Sequence, residues 1–354
     1  MTVNRKISKG KCIMKKINKN FKHSSSAFTI KKSQVKFYEK IDKIPEEGDV
    51  IYGRVLSLGQ HDTLENTSGR IHKIFNGTKA VFVFGNRYAP DHYESIVPTD
   101  NVTTVDMVAR SGVVGKVLNK NCTIGDPTTI EILGYVYDKN EKLLNTKDYP
   151  IITPEKTEKK SPRAKMILSI GTSMNSGKSL AAEACCWALS SKGKEVRGSK
   201  ITGTASLKDI LYMNDAGASH YTDFTHFGYP STYLSREEDL LNIFNKTDLK
   251  YANNPKNFWV VEFADGIGQR ETSILLKSKC VRDRIYKLIF CSNDAYGAIG
   301  GLIKLKENFG LTPDVISGVC SSSPLHIREL QEFTNIPILN SFNPNTEEWL
   351  KIIS

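Results

Sequence analysis

The sequence predicts an α/β protein. A doubly wound, mainly parallel sheet is expected over residues 166–354, preceded by a small β-rich, barrel- or sandwich-like domain over 35–150. Three observations predict this. From 35 to 144 the chain runs in short β-rich stretches, "VKFYEKI", "DVIYGRVLSLG", "GRIHKIF", "KAVFVFG" and "TIEILGYVYD", broken by Gly, Asn and Asp, with no helix-length apolar stripe between them. From 166 onward apolar strands alternate with amphipathic helices, the rhythm of a parallel sheet with crossover helices. Between the two, "IITPEKTEKKSPRAK" (151–165) is polar and lysine-rich with two prolines, and reads as a linker.

The elements of the second part follow in order. "KMILSIG" reads as a strand and 178–192 as a helix, with apolar positions at 180, 184, 187 and 188 and Gly193 as its stop. Next come strand "EVRGSKIT", a helix around 206–217, and strands "NFWVVEFAD" and "YKLIFCSND". A helix near 295–309 stopped by Gly310, strand "DVISGVC", a helix near 324–334 and strand "IPILN" complete the series. Ligand sites in such sheets lie at the carboxyl ends of the strands, so the loops after Ile170, Ile201, Phe263 and Cys291 are the places to look.

The net charge is +11, and residues 1–43 account for all of it with 13 Lys/Arg against 2 Asp/Glu. The basicity therefore belongs to one end of the chain. Residues 1–34 read as a basic, disordered tail, a solvated extension in preference to a nucleic-acid-contacting arm or a transit peptide. At 39% hydrophobic and 25% charged residues, composition is that of a soluble globular protein, and no apolar run is long enough to cross a membrane. Seven scattered cysteines form no zinc spacing and no C-x-x-C pair, which points to reduced thiols in a cytoplasmic compartment. The seven histidines likewise offer no metal-ligand pair.

The chemistry centres on "GTSMNSGKS" (171–179). A strand runs into it and a helix leaves it. Small residues let successive backbone N–H groups turn inward as a nest for anionic oxygens, and the helix adds its positive end. Lys178 supplies a point charge for the β- and γ-phosphates, and Ser179 a hydroxyl for magnesium. The predicted nucleotide-binding segment is Gly171, Thr172, Ser173, Met174, Asn175, Ser176, Gly177, Lys178, Ser179 and Leu180. One detail departs from G-x-x-x-x-G-K-[ST]: the first glycine is Gly171, one residue early, and Thr172 stands where the pattern has glycine.

That early Gly-Thr, five residues from Thr172 to Ser176, then Gly-Lys-Ser, resembles the phosphate loop of dethiobiotin synthetase. This belongs to a class of P-loop proteins that includes cobyrinic acid synthases and the molybdopterin-guanine dinucleotide biosynthesis adaptor. "RGSK" (197–200) resembles the lysine-bearing end of the second strand in those families. "KDILYMNDAGA" (208–218) is similar to a segment of the adaptor, and "WVVEFADG" (259–266) to a strand end of dethiobiotin synthetase. "AIGGLIKLKENFGLTPDVISGV" is similar to the same enzyme's helix-glycine-leucine-strand pattern. The resemblance covers about 166–342. It implies a P-loop NTPase fold, nucleotide use and a homodimer. This loop carries Met174-Asn175 where those loops carry Thr-Glu, so substrate identity is not implied.

Beyond the loop, Glu262 ends an apolar strand, where a carboxylate is ordinarily present to bind something. Magnesium takes oxygen ligands, and Ser179, Asp209 and Glu262 are the expected set. Asp215 and Asp265 are weaker alternates. Lys178 and Lys200 are the expected catalytic cations, Lys200 stabilising charge on the transferred group. In the β-rich part, "GNRYAPDHYES" (85–95) concentrates Asn, Arg, Tyr, Asp and His, a binding loop or a polar turn.

The expected function is Mg-ATP-dependent phosphoryl transfer that activates the carboxylate or carbamate of a small-molecule acceptor. The alternative is a nucleotide-hydrolysing adaptor or switch that controls a partner. A nucleic-acid-associated ATPase using the basic tail is a third reading. GTP stays open beside ATP, since no N-K-x-D base-reading motif occurs.

Overall fold

The computed structural model describes residues 14–18, 20–153 and 158–354. Its first part is a ten-stranded sheet. Five strands, Val50–Ser57, Lys79–Phe84, Val113–Lys120, Thr104–Met107 and Thr128–Tyr137, pair in a closed ring. Four of the five contacts are antiparallel, and that between Lys79–Phe84 and Val113–Lys120 is parallel. The β-rich part is thus a barrel, and closure removes the exposed edges that a flat sheet would leave.

Alternation along the ring strands sets two layers. Ile51, Val55, Phe82, Phe84, Val114 and Ile130 share one cluster, while their neighbours Val50, Tyr52, Val81, Val83 and Val136 share another. That second cluster is completed by Ile17, Phe21, Ala27, Ile30 and Val35 from the N-terminal segment. Strands apolar on both faces need a second layer, and this segment supplies it. The disorder expected through residue 34 is therefore corrected for 14–18 and 20–34: Ala27 and Ile30 are fully buried, and Lys22–His23 pairs with Lys79–Phe84. Lysine-rich composition masked a sparse apolar stripe. Residues 1–13 and 19 of the expected tail, and 154–157 of the expected linker, lie outside the described residues.

The second sheet has six strands, here β1 (Lys165–Gly171), β2 (Glu195–Lys200), β3 (His220–Asp223), β4 (Asn257–Glu262), β5 (Ile285–Cys291) and β6 (Val315–Ser317). Their order is β3-β2-β4-β1-β5-β6, and every pairing is parallel. The helices are α1 (Lys178–Ser190), α2 (Leu207–Asp215), α3 (Glu237–Tyr251), α4 (Arg270–Lys277), α5 (Lys279–Arg282), α6 (Ala295–Phe309), α7 (Pro324–Phe333) and α8 (Thr346–Ile353).

Both faces of this sheet are covered. Met166, Leu168, Trp259, Val261 and Phe290 pack with Phe244 of α3, Leu275 of α4 and Leu305 of α6. Ile167, Val260 and Ile289, one residue out of phase, pack with Ala181 and Cys185 of α1, Ile210 of α2 and Trp349 of α8. Two-sided burial explains why these strands read as continuous apolar runs. The architecture is a doubly wound, all-parallel α/β domain preceded by a small β-rich domain. Among the described residues no helix is long and apolar enough to cross a membrane.

Strand β3 and helices α3, α4, α5 and α8 are additions to the expected series, and two of the departures have local causes. Strand "IPILN" reduces to a single bridge, Ile316 with Ile338, placed beside the short β6. Helix α3, unexpected from sequence, opens with Glu237, Glu238 and Asp239, which favour a helix N-terminus but dilute its apolar stripe.

Candidate functional site

Parallel pairing sends the loops after β1, β2, β4 and β5 to one edge of the sheet, and the loop after β1 is central there. Its backbone turns through two left-handed residues, Asn175 (φ 60°) and Gly177 (φ 93°). A side chain at Gly177 would also stand 2.6 Å from the Gly318 Cα, so only glycine fits. The early glycine has a packing reason: a Cβ at Gly171 would collide with Ser176 Oγ and lie 2.8 Å from the Cys291 carbonyl. Thr172 meets no such limit and anchors the loop, its N–H donating to Cys291 O at 2.9 Å.

Lys178, in the first turn of α1, is buried, and its ammonium donates to Ser173 O at 2.6 Å. Burial pulls its pKa below the ordinary lysine value, with Glu262 and Asp265 opposing that pull. Among the described residues no carboxylate forms an ion pair with it.

The loop faces a cavity of about 640 Å³. Met174, Asn175, Gly177, Lys178, Ser179 and Leu180 border it, while Gly171, Thr172, Ser173 and Ser176 form the loop's floor and do not. Lys200, Asp209, Glu262 and Asp265 border the same cavity; Asp215, exposed at the far end of α2, does not.

Lys200 and Glu262 are register partners at the ends of β2 and β4. The Lys200 ammonium lies 2.5 Å from Asp209 Oδ2 and 3.5 Å from Glu262 Oε1. Burial disfavours its charge, but the two carboxylates outweigh burial and hold its pKa above the ordinary lysine range. The expected cation and both expected carboxylates thus come together, with Asp209 engaged as a counter-ion. Burial pushes Asp265, on a left-handed turn (φ 61°), up to about 6. Glu183, which sequence reading missed, is pushed up to about 7 by burial and by Glu262 and Asp209. It lies on α1 one turn beyond Ser179, the only signal that would have found it.

The donor set suits magnesium. Glu262 is buried and its Oε2 has no hydrogen-bond partner among the described residues, while Ser179 borders the same cavity. Among the described residues no three His, Cys, Asp or Glu side chains cluster closely enough to hold a metal by themselves. A magnesium ion here would be completed by phosphate oxygens and water, as such sites usually are.

The β-rich domain supplies the opposite wall. His61, Glu65, Arg87, His92, Arg110 and Ser111 border the cavity. The domain is tied down by Asn175 Nδ2 donating to Asp91 Oδ2 (2.6 Å), the Tyr233 hydroxyl donating to Glu94 (2.8 Å) and Asn86 Nδ2 donating to Tyr233 O (3.2 Å). Sequence reading singled out segment 85–95 but not Glu65 or Arg110, which lie in unrelated stretches.

No protein-family model matches the chain, and no curated protein matches it. Among solved structures, similarity is found to the signal recognition particle receptor FtsY of Elizabethkingia anophelis in complex with GDP. Identity is 9% and TM-score 0.36, over 57% of this chain and 64% of that one. Chloroplast FtsY of Physcomitrella patens gives 8% and 0.36 over 57% and 69%, and a second Elizabethkingia FtsY structure 11% and 0.36 over 60% and 75%. The chain thus covers less than two thirds of the first of these. Likeness at this level carries no functional argument, and none of the three is a dethiobiotin synthetase. The narrower resemblance rests on its sequence motifs; the P-loop fold rests on the strand order, the loop geometry and the placement of Lys178 and Ser179.

Proposed function

We propose that loop 171–180 binds a magnesium nucleoside triphosphate and that the protein cleaves its terminal phosphoanhydride, passing the phosphoryl group to a small-molecule acceptor. The observation that supports this is the cavity: the phosphate loop opens into a half-open space that the β-rich domain also lines, with charged groups from both domains. An open loop would suffice for binding nucleotide alone.

In this reading Lys178 exchanges its bond to Ser173 O for the β- and γ-phosphates, a stronger charge-assisted contact. Ser179 and Glu262 hold magnesium, which supplies electrostatic stabilisation of the transferring group. Lys200, fixed by Asp209 and Glu262, keeps positive charge aimed at that group. Asp265, which borders the same cavity and whose carboxyl is pushed up to about 6, would accept the proton of an acceptor that attacks through a hydroxyl or amine. ATP is the expected nucleotide, with GTP the alternative.

A second reading has its own support. Asn175, at the tip of the phosphate loop, is bonded to Asp91 of the β-rich domain, so nucleotide loading would be felt there. That favours a nucleotide-hydrolysing switch in which water is the acceptor and a partner reads the β-rich domain.

Nucleoside diphosphate release from Mg-ATP and Mg-GTP tests both, since a phosphoryl group passed to an acceptor is not freed as phosphate. A small molecule that raises release far above the basal rate, an effect lost in Lys200→Ala, supports transfer. Release insensitive to any small molecule, with nucleotide-dependent hydrogen exchange across 85–95, supports the switch. No release from either nucleotide above the buffer rate contradicts both.

A further inference from the structure

Arg87 is the feature that the nucleotide site leaves unexplained. It lies on the short strand Arg87–Tyr88 at the cavity wall, is 8% exposed, and forms no ion pair among the described residues. Among the described residues its Nε has no partner, and its only side-chain hydrogen-bond contact is Nη1 to His61 Nε2 at 3.1 Å. That contact is compromised, because the same nitrogen lies 3.1 Å from the Val108 carbonyl. One ring nitrogen cannot donate to Val108 and accept from Arg87 at once. Asp265, bordering the same cavity, offsets part of its burial cost from a distance, but an arginine so buried without a direct partner is still costly to keep, and ordinarily something binds it.

Two neighbours on the same wall share the deficit. His92 Nδ1 and Ser111 Oγ are buried without hydrogen-bond partners, and both residues border the cavity beside Arg87. Three residues with unmet polar atoms, one a planar guanidinium, thus border the cavity from the β-rich domain, whose Asp91 meets the phosphate loop at Asn175.

We propose that Arg87, with His92 and Ser111, binds the carboxylate of the acceptor, holding that molecule across the cavity from Lys178 and Ser179. This rests on the phosphoryl-transfer reading above and deepens it by naming the acceptor as a small carboxylic acid. A guanidinium edge matches a carboxylate with two parallel N–H···O bonds, which gives orientation as well as affinity. Charge selects a carboxylate over a phosphate dianion. Burial and Arg87 itself push His61 down to about 3, and burial lowers His92, so both rings are neutral at pH 7. Arg110 is exposed at the rim, while Glu65 and Asp265 add negative charge to the same cavity.

Calorimetric titration of the full chain tests this with sodium acetate and succinate as probes and phosphate and sulfate as controls. Each is run with and without Mg-ADP, and Mg-ADP itself is titrated separately. The expected result is carboxylate binding weakened about ten-fold or more in Arg87→Gln and only partly restored in Arg87→Lys, with Mg-ADP affinity kept. If Arg87→Gln does not fold, His92→Ala and Ser111→Ala should each weaken carboxylate binding. The proposal is overturned if neither carboxylate binds the wild-type chain, if phosphate or sulfate binds more tightly than both, or if binding survives in the variants. Loss of Mg-ADP binding by the wild-type chain would instead count against the nucleotide site, a result read from its own titration.

Discussion

Glu65 of the β-rich domain caps a helix of the other domain: its carboxylate accepts the backbone N–H of Leu207 at 3.0 Å and that of Lys208 at 3.2 Å. Ser206, the residue in the capping position of α2, makes no side-chain cap bond. A carboxylate at this end satisfies orphan donors and complements the helix dipole. It also places Asp209, two residues further on, against Lys200. The Ser25 hydroxyl in turn donates to Glu65, so the N-terminal segment, the barrel and the site form one connected chain of contacts.

Glu65→Ala should therefore destabilise the protein by about 1–2 kcal/mol, the usual cost of losing a cap. It should also lower the rate of nucleoside diphosphate release more than it lowers nucleotide affinity. Urea unfolding and nucleotide titration read the two effects; unchanged stability would show that α2 is held by packing alone.

Ile30 is fully buried against the barrel's outer layer. Ile30→Ala should cost about 2–5 kcal/mol, as core truncations do, and deletion of residues 1–30 should cost more. Thermal melts check this, and a melting temperature insensitive to either change would restore the reading of this segment as a tail.

Glu183 gives a pH signature. Its folded-state pKa, pushed up to about 7 by burial and by Glu262 and Asp209, lies above its unfolded value, so ionisation opposes folding. The penalty is absent below the unfolded pKa and grows as pH rises through about 7. Glu183→Gln should leave the melting temperature near that of wild type at acidic pH and raise it under alkaline conditions, without magnesium. A stabilisation independent of pH would contradict this origin.

Glu262→Gln keeps shape and removes charge at the one cavity carboxylate that, among the described residues, has an unpartnered buried oxygen. The magnesium concentration needed for half-maximal nucleoside diphosphate release should rise by about ten-fold or more, in line with electrostatic terms of a few kcal/mol. An unchanged magnesium dependence would remove Glu262 from the metal set.

Much of the site was legible because its parts are local in sequence. Gly177, Lys178 and Ser179 need only the strand before and the helix after them. Glu262 stood out as a charge ending an apolar strand, and Lys200 proved to be its register partner. The far wall was not legible as a wall. His61, Glu65, Arg110 and Ser111 sit in separate stretches, and only barrel closure brings them to one surface. The strand Val113–Lys120 was also missed, since Gly115, Lys116, Asn119 and Lys120 interrupt its apolar residues and half of it faces solvent. The N-terminal segment was misread because lysines outnumber the few apolar residues that dock it.

The most direct measurement is calorimetric titration of Mg-ATP and Mg-GTP into the wild-type chain and Lys178→Ala. Lys178 is buried, without a carboxylate partner among the described residues, and at the mouth of a loop whose glycines are fixed by close approach. Wild type should bind at least one of the two nucleotides, and Lys178→Ala should bind it about ten-fold or more weakly, the cost of a lost charged hydrogen bond, with unchanged circular dichroism. Equal affinity in the variant, or no binding of either nucleotide by wild type, would contradict assignment of loop 171–180 as a triphosphate site.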